Sequence, residues 1–181
     1  MSLAIFESQV VPVRQKLYRF AYHLLGNEED ANHLLGNEED ARDITQDAMV
    51  KVWQQKDRMA ELQNMEAWCM RIVRNLALDK LKSKKHRRAE ELDKAVEIAV
   101  THQDNPHEAA AKQDVMNSVH RIMRALPEKY RTIMQLRDID GHTYQEIADI
   151  LELDLSDVKV NLHRARKSVR EQLQKLQVYG V

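Results

Sequence analysis

Two stretches of the chain carry side chains that could bind a polyanion. Residues 71 to 88 contain eight Lys and Arg against one Asp, and residues 156 to 175 contain six against two acidic residues. The formal net charge of the whole chain is only −1, so the remaining residues are strongly acidic. Two separate basic segments on an otherwise acidic chain indicate two contacts with a polyanion, although either segment alone is equally typical of a solvated helix face.

The second basic stretch lies within the most specific local pattern of the sequence. Thr143 and Glu146 have the spacing of a capping box, which predicts the start of a short helix. A break follows at residues 153 to 155, and Ser156 is the predicted cap of a second helix. The apolar inner stripe of that second helix is Val158, Leu162, Ala165 and Val169. A short capped helix, a tight turn and a second helix with a basic outer face predict a helix-turn-helix.

The outer face of the second predicted helix carries the side chains that we expect to contact DNA. They are Lys159, Asn161, His163, Arg164 and Lys167. Cationic side chains neutralise phosphates, while Asn and Arg can form paired hydrogen bonds with base edges. The alternative interpretation is an amphipathic helical hairpin with a solvated face.

Composition excludes several other kinds of site. The 181 residues include four glycines and a single cysteine, Cys69. This number of scattered glycines cannot form a glycine-rich phosphate loop, and one cysteine permits neither an internal disulfide nor a cysteine zinc site. The eight histidines lack metal-ligand spacing, so we predict no enzyme, no cofactor and no metal. The sequence shows no signal peptide and no apolar run that could span a bilayer, which predicts a cytoplasmic protein without membrane insertion.

The elements that position these side chains are all predicted to be helices. The chain is poor in Gly and Pro and rich in strong helix formers, which is typical of an all-α fold. Helices are predicted from Pro12 to a stop at Gly26, over residues 38 to 56 and over residues 66 to 85, with later helices opening at Pro106 and Pro127. The second of these is predicted to bury Ile44, Ala48, Val52 and Trp53, and the third Cys69, Ile72, Val73 and Leu76, with Trp68 also in the core.

A repeat interrupts the first part of the chain. The sequence HLLGNEEDA occupies residues 23 to 31 and recurs unchanged at residues 33 to 41. A shift of ten residues rotates a helix by about 1000°, so one continuous helix would place the leucines of the two copies on different faces. We therefore predict that the second copy is an inserted helical turn or two, and that each copy ends a helix at its glycine.

These patterns together resemble a known family. Residues 126 to 167, LPEKYRTIMQLRDIDGHTYQEIADILELDLSDVKVNLHRARK, are similar to region 4 of extracytoplasmic-function sigma factors, which recognises the promoter −35 element. LYRFAYHLLGNEEDA, DITQDAMVKVW and AWCMRIVRNLALDKL are similar to region 2 of the same family. The resemblance implies two small helical domains joined by a flexible linker. These are a region 2 bundle at 1–88, a linker at 89–105 and a region 4 helix-turn-helix domain at 106–181.

The resemblance also implies a function, partners and contact residues. An alternative sigma factor binds core RNA polymerase and directs it to promoter DNA, usually under the control of an anti-sigma factor. The residues implied to dock on the clamp helices of the largest polymerase subunit are Asp43, Gln46, Asp47, Lys51 and Gln54. Those implied to contact the −10 element are Arg71, Arg74, Asn75 and Lys80, together with the loop at residues 58 to 65.

Two other functions remain open at this point. A stand-alone helix-turn-helix regulator would explain residues 143 to 172 but would leave the polar helix at 43 to 56 and the basic stretch at 71 to 88 without a purpose. A helical protein-interaction adaptor would need no second cationic cluster. Copurification with core RNA polymerase would distinguish a sigma factor from both.

Overall fold

The computed structural model of the protein describes residues 2–26, 34–92, 121–123 and 125–178. Every regular element within these ranges is helical, which confirms the predicted all-α fold. Residues 93 to 105 of the predicted linker and most of the helix predicted to open at Pro106 lie outside the described residues, and the end of that helix, at residues 121–123 and 125, is helical.

The N-terminal half is a helical bundle. Its main helices are α1 (Ser2–Ile5), α2 (Arg14–Leu25), α3 (Leu34–Gln54) and α4 (Met65–Leu92). A π-helical turn (Phe6–Val10) and a 3-10 turn (Val11–Val13) connect α1 to α2, and a 3-10 turn (Lys56–Glu61) precedes α4. The helices α2, α3 and α4 pack against one another, and Phe20, Val52 and Val73 are almost completely buried between them. Burial of such side chains stabilises the bundle by roughly 1.5–3 kcal/mol each.

The two copies of the repeat have different structural roles. The first copy ends α2, as predicted: Gly26 is the C-cap, its ψ of 14° leaves the helical conformation, and its amide donates the last helical hydrogen bond, to the Tyr22 carbonyl oxygen at 2.9 Å. The second copy forms the beginning of α3, which continues through Gly36, so the prediction that this glycine ends a helix is wrong. The reason is tertiary: Asn37 and Ala41 are buried, and Asp40 pairs with two lysines of α4.

The aromatic side chains of this half divide between core and surface. Trp68 and Cys69 are buried as predicted, whereas Trp53 is 38% exposed, so the prediction that it belongs to the core is wrong. Its ring meets the Phe6 ring edge-on at 5.3 Å, and the Lys56 ammonium lies 5.3 Å from its centroid. Position 53 follows the buried Val52 directly, and adjacent residues on a helix point about 100° apart.

Helix α4 is longer than its sequence pattern predicted. It continues to Leu92, beyond the predicted end at 85 and into the segment predicted as linker from residue 89. No glycine or proline interrupts residues 65 to 92, and the final turns consist largely of Lys, Arg, Ala, Glu and Leu. These residues have high helix propensity, so nothing local ends the helix earlier.

The C-terminal half contains the predicted helix-turn-helix. Its helices are α5 (Glu128–Met134), which continues through a π-helical turn (Gln135–Ile139), α6 (Tyr144–Leu151) and α7 (Leu155–Val178). Gly141 has φ of +79°, a left-handed conformation that glycine adopts without strain, and it separates the π-helical turn from α6. Glu152 ends α6 in a left-handed conformation, with its amide bonded to the Ala148 carbonyl oxygen.

Candidate nucleic-acid and polymerase interfaces

The start of α6 is held by the predicted capping box. The Glu146 amide donates to Thr143 Oγ1 at 3.2 Å, and the Thr143 amide donates to Glu146 Oε2 at 2.7 Å. The hydrogen bond from the Thr143 amide is the main cause of a lowered pKa at Glu146, because it stabilises the carboxylate. Ile147 of α6 and Val158 and Leu162 of α7 are buried together, so the orientation of α7 is fixed by core packing.

The exposed face of α7 is cationic. Lys159, His163, Arg164 and Lys167 all lie on it, as predicted. Asn161 does not: it is only 8% exposed, and its Nδ2 donates to the Asp157 carbonyl oxygen at 2.7 Å. The prediction that Asn161 lies on the outer face is therefore wrong. It follows Val158 by three residues and so falls on the buried stripe.

Sequence reasoning missed two features of α7. Val160 is 46% exposed among the cationic side chains, and its position two residues after the buried Val158 could have placed it on the outer face. Arg166 is also cationic but forms an ion pair with Asp138 of the π-helical turn, including a bond from Nε to Oδ2 at 3.2 Å. That pairing holds α7 against the preceding elements.

A second exposed face lies on α3. The five residues predicted to dock on polymerase are all exposed there: Asp43, Gln46, Asp47, Lys51 and Gln54. They form one stripe because their spacing follows the helical repeat. Val50 is 54% exposed in the middle of this stripe and was missed from the sequence. A cleft beside it is lined by Asp43, Ile44, Gln46, Asp47, Leu76 and Lys80.

The basic side chains of α4 are partly neutralised by neighbours. Lys80 Nζ lies 2.8 Å from Asp40 Oδ1, and Lys84 Nζ lies 2.7 Å from Asp40 Oδ2. Burial alone would raise the pKa of Asp40, but the hydrogen bonds from both lysines lower it below its usual value. Of the other predicted −10 residues, Asn75 is exposed, while Arg71 and Arg74 are half-buried.

The two halves of the chain are in direct contact, with α4 packed against α6. Asn64 Nδ2 donates to Glu146 Oε1 at 2.9 Å, and Arg74 Nη1 lies 3.6 Å from Glu152 Oε2. The buried ring of His142 has one nitrogen 3.8 Å from Glu66 and the other 3.8 Å from Glu146. The predicted −10 helix and the helix-turn-helix therefore cover part of each other's surface. We call this contact the α4–α6 junction.

A half-buried histidine, His23, lies near the end of α2 and close to Arg131 of α5. His23 Nε2 is buried without a hydrogen-bond partner. Burial and the nearby positive charge of Arg131 lower the pKa of His23 to about 4, so the ring is neutral at physiological pH. Protonation of His23 would place a second positive charge in this buried position.

The described residues do not support a reactive cysteine, a metal site or a membrane-spanning helix. Burial raises the pKa of the Cys69 thiol to about 12, so this side chain stays protonated and unreactive. Within the ranges that the structure describes, no group of three or more His, Cys, Asp and Glu side chains is arranged to hold a metal ion. No helix in these ranges is long and apolar enough to cross a membrane.

Each half of the chain matches a family model of known proteins. Residues 10–87 match the family model "Sigma-70 region 2", and residues 116–169 match "Sigma-70, region 4". The ECF RNA polymerase sigma factor SigW of Bacillus subtilis is 28% identical over 170 residues, which cover 90% of this chain and 86% of that protein. The ECF RNA polymerase sigma factor SigE of Mycolicibacterium smegmatis is also 28% identical, over 88% of this chain but 58% of its own length.

A solved structure has the same fold. The sigma factor RpoE of Bartonella quintana, in complex with the anti-sigma factor NepR, aligns with a TM-score of 0.65 at 22% identity, covering 93% of this chain and 96% of that one. The arrangement of two helical regions along the chain is therefore shared with a sigma factor.

Proposed function

The chain belongs to the extracytoplasmic-function group of the sigma-70 family, and we propose that its exposed α3 face, its basic α4 helix and its cationic α7 face are the surfaces with which it acts. As a member of this family it is an alternative sigma factor, which binds core RNA polymerase and directs promoter-specific initiation. The presence of both regions in one chain carries this conclusion. Nothing in the comparisons supports a stand-alone regulator, since such a protein would need no region 2.

The α3 face is the proposed polymerase-binding surface. Its polar members are exposed and, among the contacts found in the described residues, none of the five forms an ion pair within the protein. Val50 adds an exposed apolar side chain at the centre of the stripe. An apolar centre within a polar rim is the usual composition of a protein–protein interface. We therefore add Val50 to the proposed surface.

The two proposed DNA-binding surfaces are on α4 and α7. Arg71, Arg74, Asn75 and Lys80 of α4 are proposed to contact the −10 element, and Lys159, His163, Arg164 and Lys167 of α7 the −35 element. Asn161 is left out because its amide is already bonded within α7. The chemistry of transcription belongs to the polymerase, and we assign no catalytic residue and no cofactor to this chain.

The α4–α6 junction indicates that the structure is a closed state. The names of the −10 and −35 elements place them about 25 base pairs apart, which is about 85 Å at about 3.4 Å per base pair. Helices α4 and α6 touch, and the Asn64–Glu146 hydrogen bond is 2.9 Å. Both elements cannot be bound at once with this junction intact, so we propose that it opens when the protein joins polymerase and promoter.

An anti-sigma factor is the proposed regulator. The solved relative of similar fold is a complex with an anti-sigma factor, and it spans nearly the whole of this chain. A partner that binds the closed state would keep the α4–α6 junction intact and so hold the protein inactive. Because transcription takes place on the chromosome, we propose that the protein acts in the cytoplasm.

The polymerase surface is tested by a paired substitution. Gln46→Ala with Asp47→Ala removes two exposed side chains, so the free energy of unfolding should change by no more than about 0.5 kcal/mol each. Affinity for core RNA polymerase should fall at least tenfold, about 1.4 kcal/mol. The matched control is Glu7→Ala with Gln9→Ala, which removes an exposed carboxylate and an exposed amide elsewhere. Unchanged affinity in the α3 variant, or an equal loss in the control, would contradict the assignment.

A further inference from the structure

Val160 is an exposed apolar side chain beside the cationic residues Lys159 and Arg164 of α7. It is 46% exposed, and Ser156 and Arg164 lie four residues before and after it on the same side of α7. Lys159, His163 and the acidic Asp157 are its other exposed neighbours. The core side of α7 is complete without it, because Val158, Leu162 and Ala165 are fully or almost fully buried.

The surroundings of Val160 restrict what it can contact. A valine gains nothing from a phosphate, which the neighbouring lysine and arginine can bind instead. The major groove of DNA presents one apolar group at base-pair edges, the C5-methyl group of thymine. An apolar protein partner would have to bury the charges of Lys159 and Arg164, which is costly unless each is paired. The chemistry of this face therefore favours a polyanion that carries methyl groups.

We propose that Val160 contacts the methyl group of a thymine in the −35 element and so specifies thymine at that position. This inference rests on the proposed recognition of the −35 element by α7. Valine is short and branched at Cβ, so its reach is small and α7 must lie deep in the groove. Arg164 is about 6 Å further along the helix. The specified thymine therefore lies within about two base pairs of the base that Arg164 contacts.

The test removes the methyl group from the DNA and the valine from the protein. Holoenzyme reconstituted with the full chain first selects −35 sequences from a promoter pool randomised in that element. Each thymine of the selected −35 element is then replaced by deoxyuridine, which keeps all the hydrogen-bonding groups and lacks only the methyl. At one position the replacement should weaken wild-type promoter binding about fourfold, the equivalent of about 0.8 kcal/mol for one buried methyl group.

The variant Val160→Ala should lose about the same factor on the thymine promoter and be indifferent to deoxyuridine at that position. Val11→Ala is the matched control, since Val11 has the same 46% exposure and lies in the other half of the chain. It should keep the wild-type response to deoxyuridine. Melting temperatures of both variants should stay close to that of the wild type, because neither valine is in the core.

The possible failures are distinguishable. If the wild-type holoenzyme selects no −35 sequence at all, the proposed recognition by α7 is wrong. If it selects a sequence without thymine, if no deoxyuridine replacement weakens binding, or if Val160→Ala remains sensitive to deoxyuridine, the role of Val160 is wrong while −35 recognition stands. Wild-type sensitivity that disappears only in Val160→Ala supports the inference.

Discussion

Arg74 of α4 and Glu152 of the helix-turn-helix form an ion pair across the two halves of the chain, with Nη1 and Oε2 3.6 Å apart. Arg74 is one of the residues proposed to contact the −10 element, and Glu152 lies in the turn between the two helices of the helix-turn-helix. The same junction contains the hydrogen bond from Asn64 to Glu146. The proposed promoter contacts and the interdomain packing would therefore use the same surface.

Asn64 offers a substitution that opens the junction and leaves the helix cap in place. Its Oδ1 accepts from the Ala67 amide at 2.9 Å at the start of α4, and aspartate can keep that bond. In Asn64→Asp, however, a carboxylate replaces the group that donates to Glu146, and the two negative charges repel. We expect the radius of gyration, measured by small-angle X-ray scattering, to increase relative to the wild type.

The double variant Asn64→Asp with Glu146→Gln is the control for this prediction. Glutamine at position 146 can donate to the new carboxylate, and it is also accepted in a capping box. The double variant should return to the compact dimensions of the wild type. A radius of gyration that stays the same in Asn64→Asp would show that the junction does not hold the halves together.

Arg164 and Lys167 should affect DNA binding in different ways. Arg164→Ala should cost about 1–3 kcal/mol on a matched −35 duplex and relax the preference at one position, if Arg164 contacts a base. Lys167→Ala should weaken binding to all sequences alike and reduce the salt slope by about one unit, because one phosphate contact is lost. Lys175→Ala, further along α7, is the control and should change neither.

The measurement for these variants is the affinity of the full chain for matched and scrambled −35 duplexes at two salt concentrations. If neither Arg164→Ala nor Lys167→Ala alters affinity or salt dependence, the cationic face of α7 is a solvated surface and the assignment fails.

The lowered pKa of His23 makes stability depend on pH. In the folded protein the pKa of His23 is about 4, whereas in the unfolded chain it is about 6.5. Between these values the unfolded state binds more protons, so stability falls as the pH decreases. From pH 7 to pH 5 this one group should remove about 2 kcal/mol from the free energy of unfolding.

Urea unfolding of the wild type and of His23→Gln at pH 7 and pH 5 tests this origin of the pH dependence. The glutamine variant does not titrate, so its loss of stability over that interval should be smaller than the wild-type loss by about 2 kcal/mol. Parallel losses in both proteins would assign the pH dependence to other groups.

Deletion of residues 23 to 32 tests the duplicated segment. The remaining copy can end α2 with its leucines and begin α3 with its Asn-Glu-Glu-Asp segment, so Asp40 can still pair with Lys80 and Lys84. Lengthening a connection twofold costs only about 0.6 kcal/mol, so removal of the extra residues should leave the protein at least as stable. Equal activity and an equal or higher melting temperature are expected. Loss of folding would mean that both copies are integral to the bundle.

Local signals predicted the helix-turn-helix well. The capping box at Thr143 and the apolar period of α7 are each formed by residues that are close together in the sequence. Local signals failed where contacts distant in sequence decide the outcome. Helix α3 continues through Gly36 because Asp40 pairs with α4, and no local pattern shows this. The α4–α6 junction was not predicted for the same reason, since Asn64 and Glu146 are 82 residues apart.

The misplacement of Asn161 has a different cause. The prediction places Asn161 on the outer face because an amide side chain can bind DNA bases. Its position three residues after Val158 instead places it on the buried stripe. The same criterion overlooked Val160, whose position on the outer face is clear but whose chemistry did not suggest a nucleic acid.

The central claim is most directly tested by transcription in vitro from the source genome. Core RNA polymerase, with and without the full chain, transcribes fragmented chromosomal DNA, and the 5′ ends of the transcripts are sequenced. We expect discrete start sites that appear only with the chain and share two upstream elements at a fixed spacing. The variant Gln46→Ala with Asp47→Ala should reduce all of them. Start sites indistinguishable from those of core polymerase alone would contradict the assignment of this protein as a sigma factor.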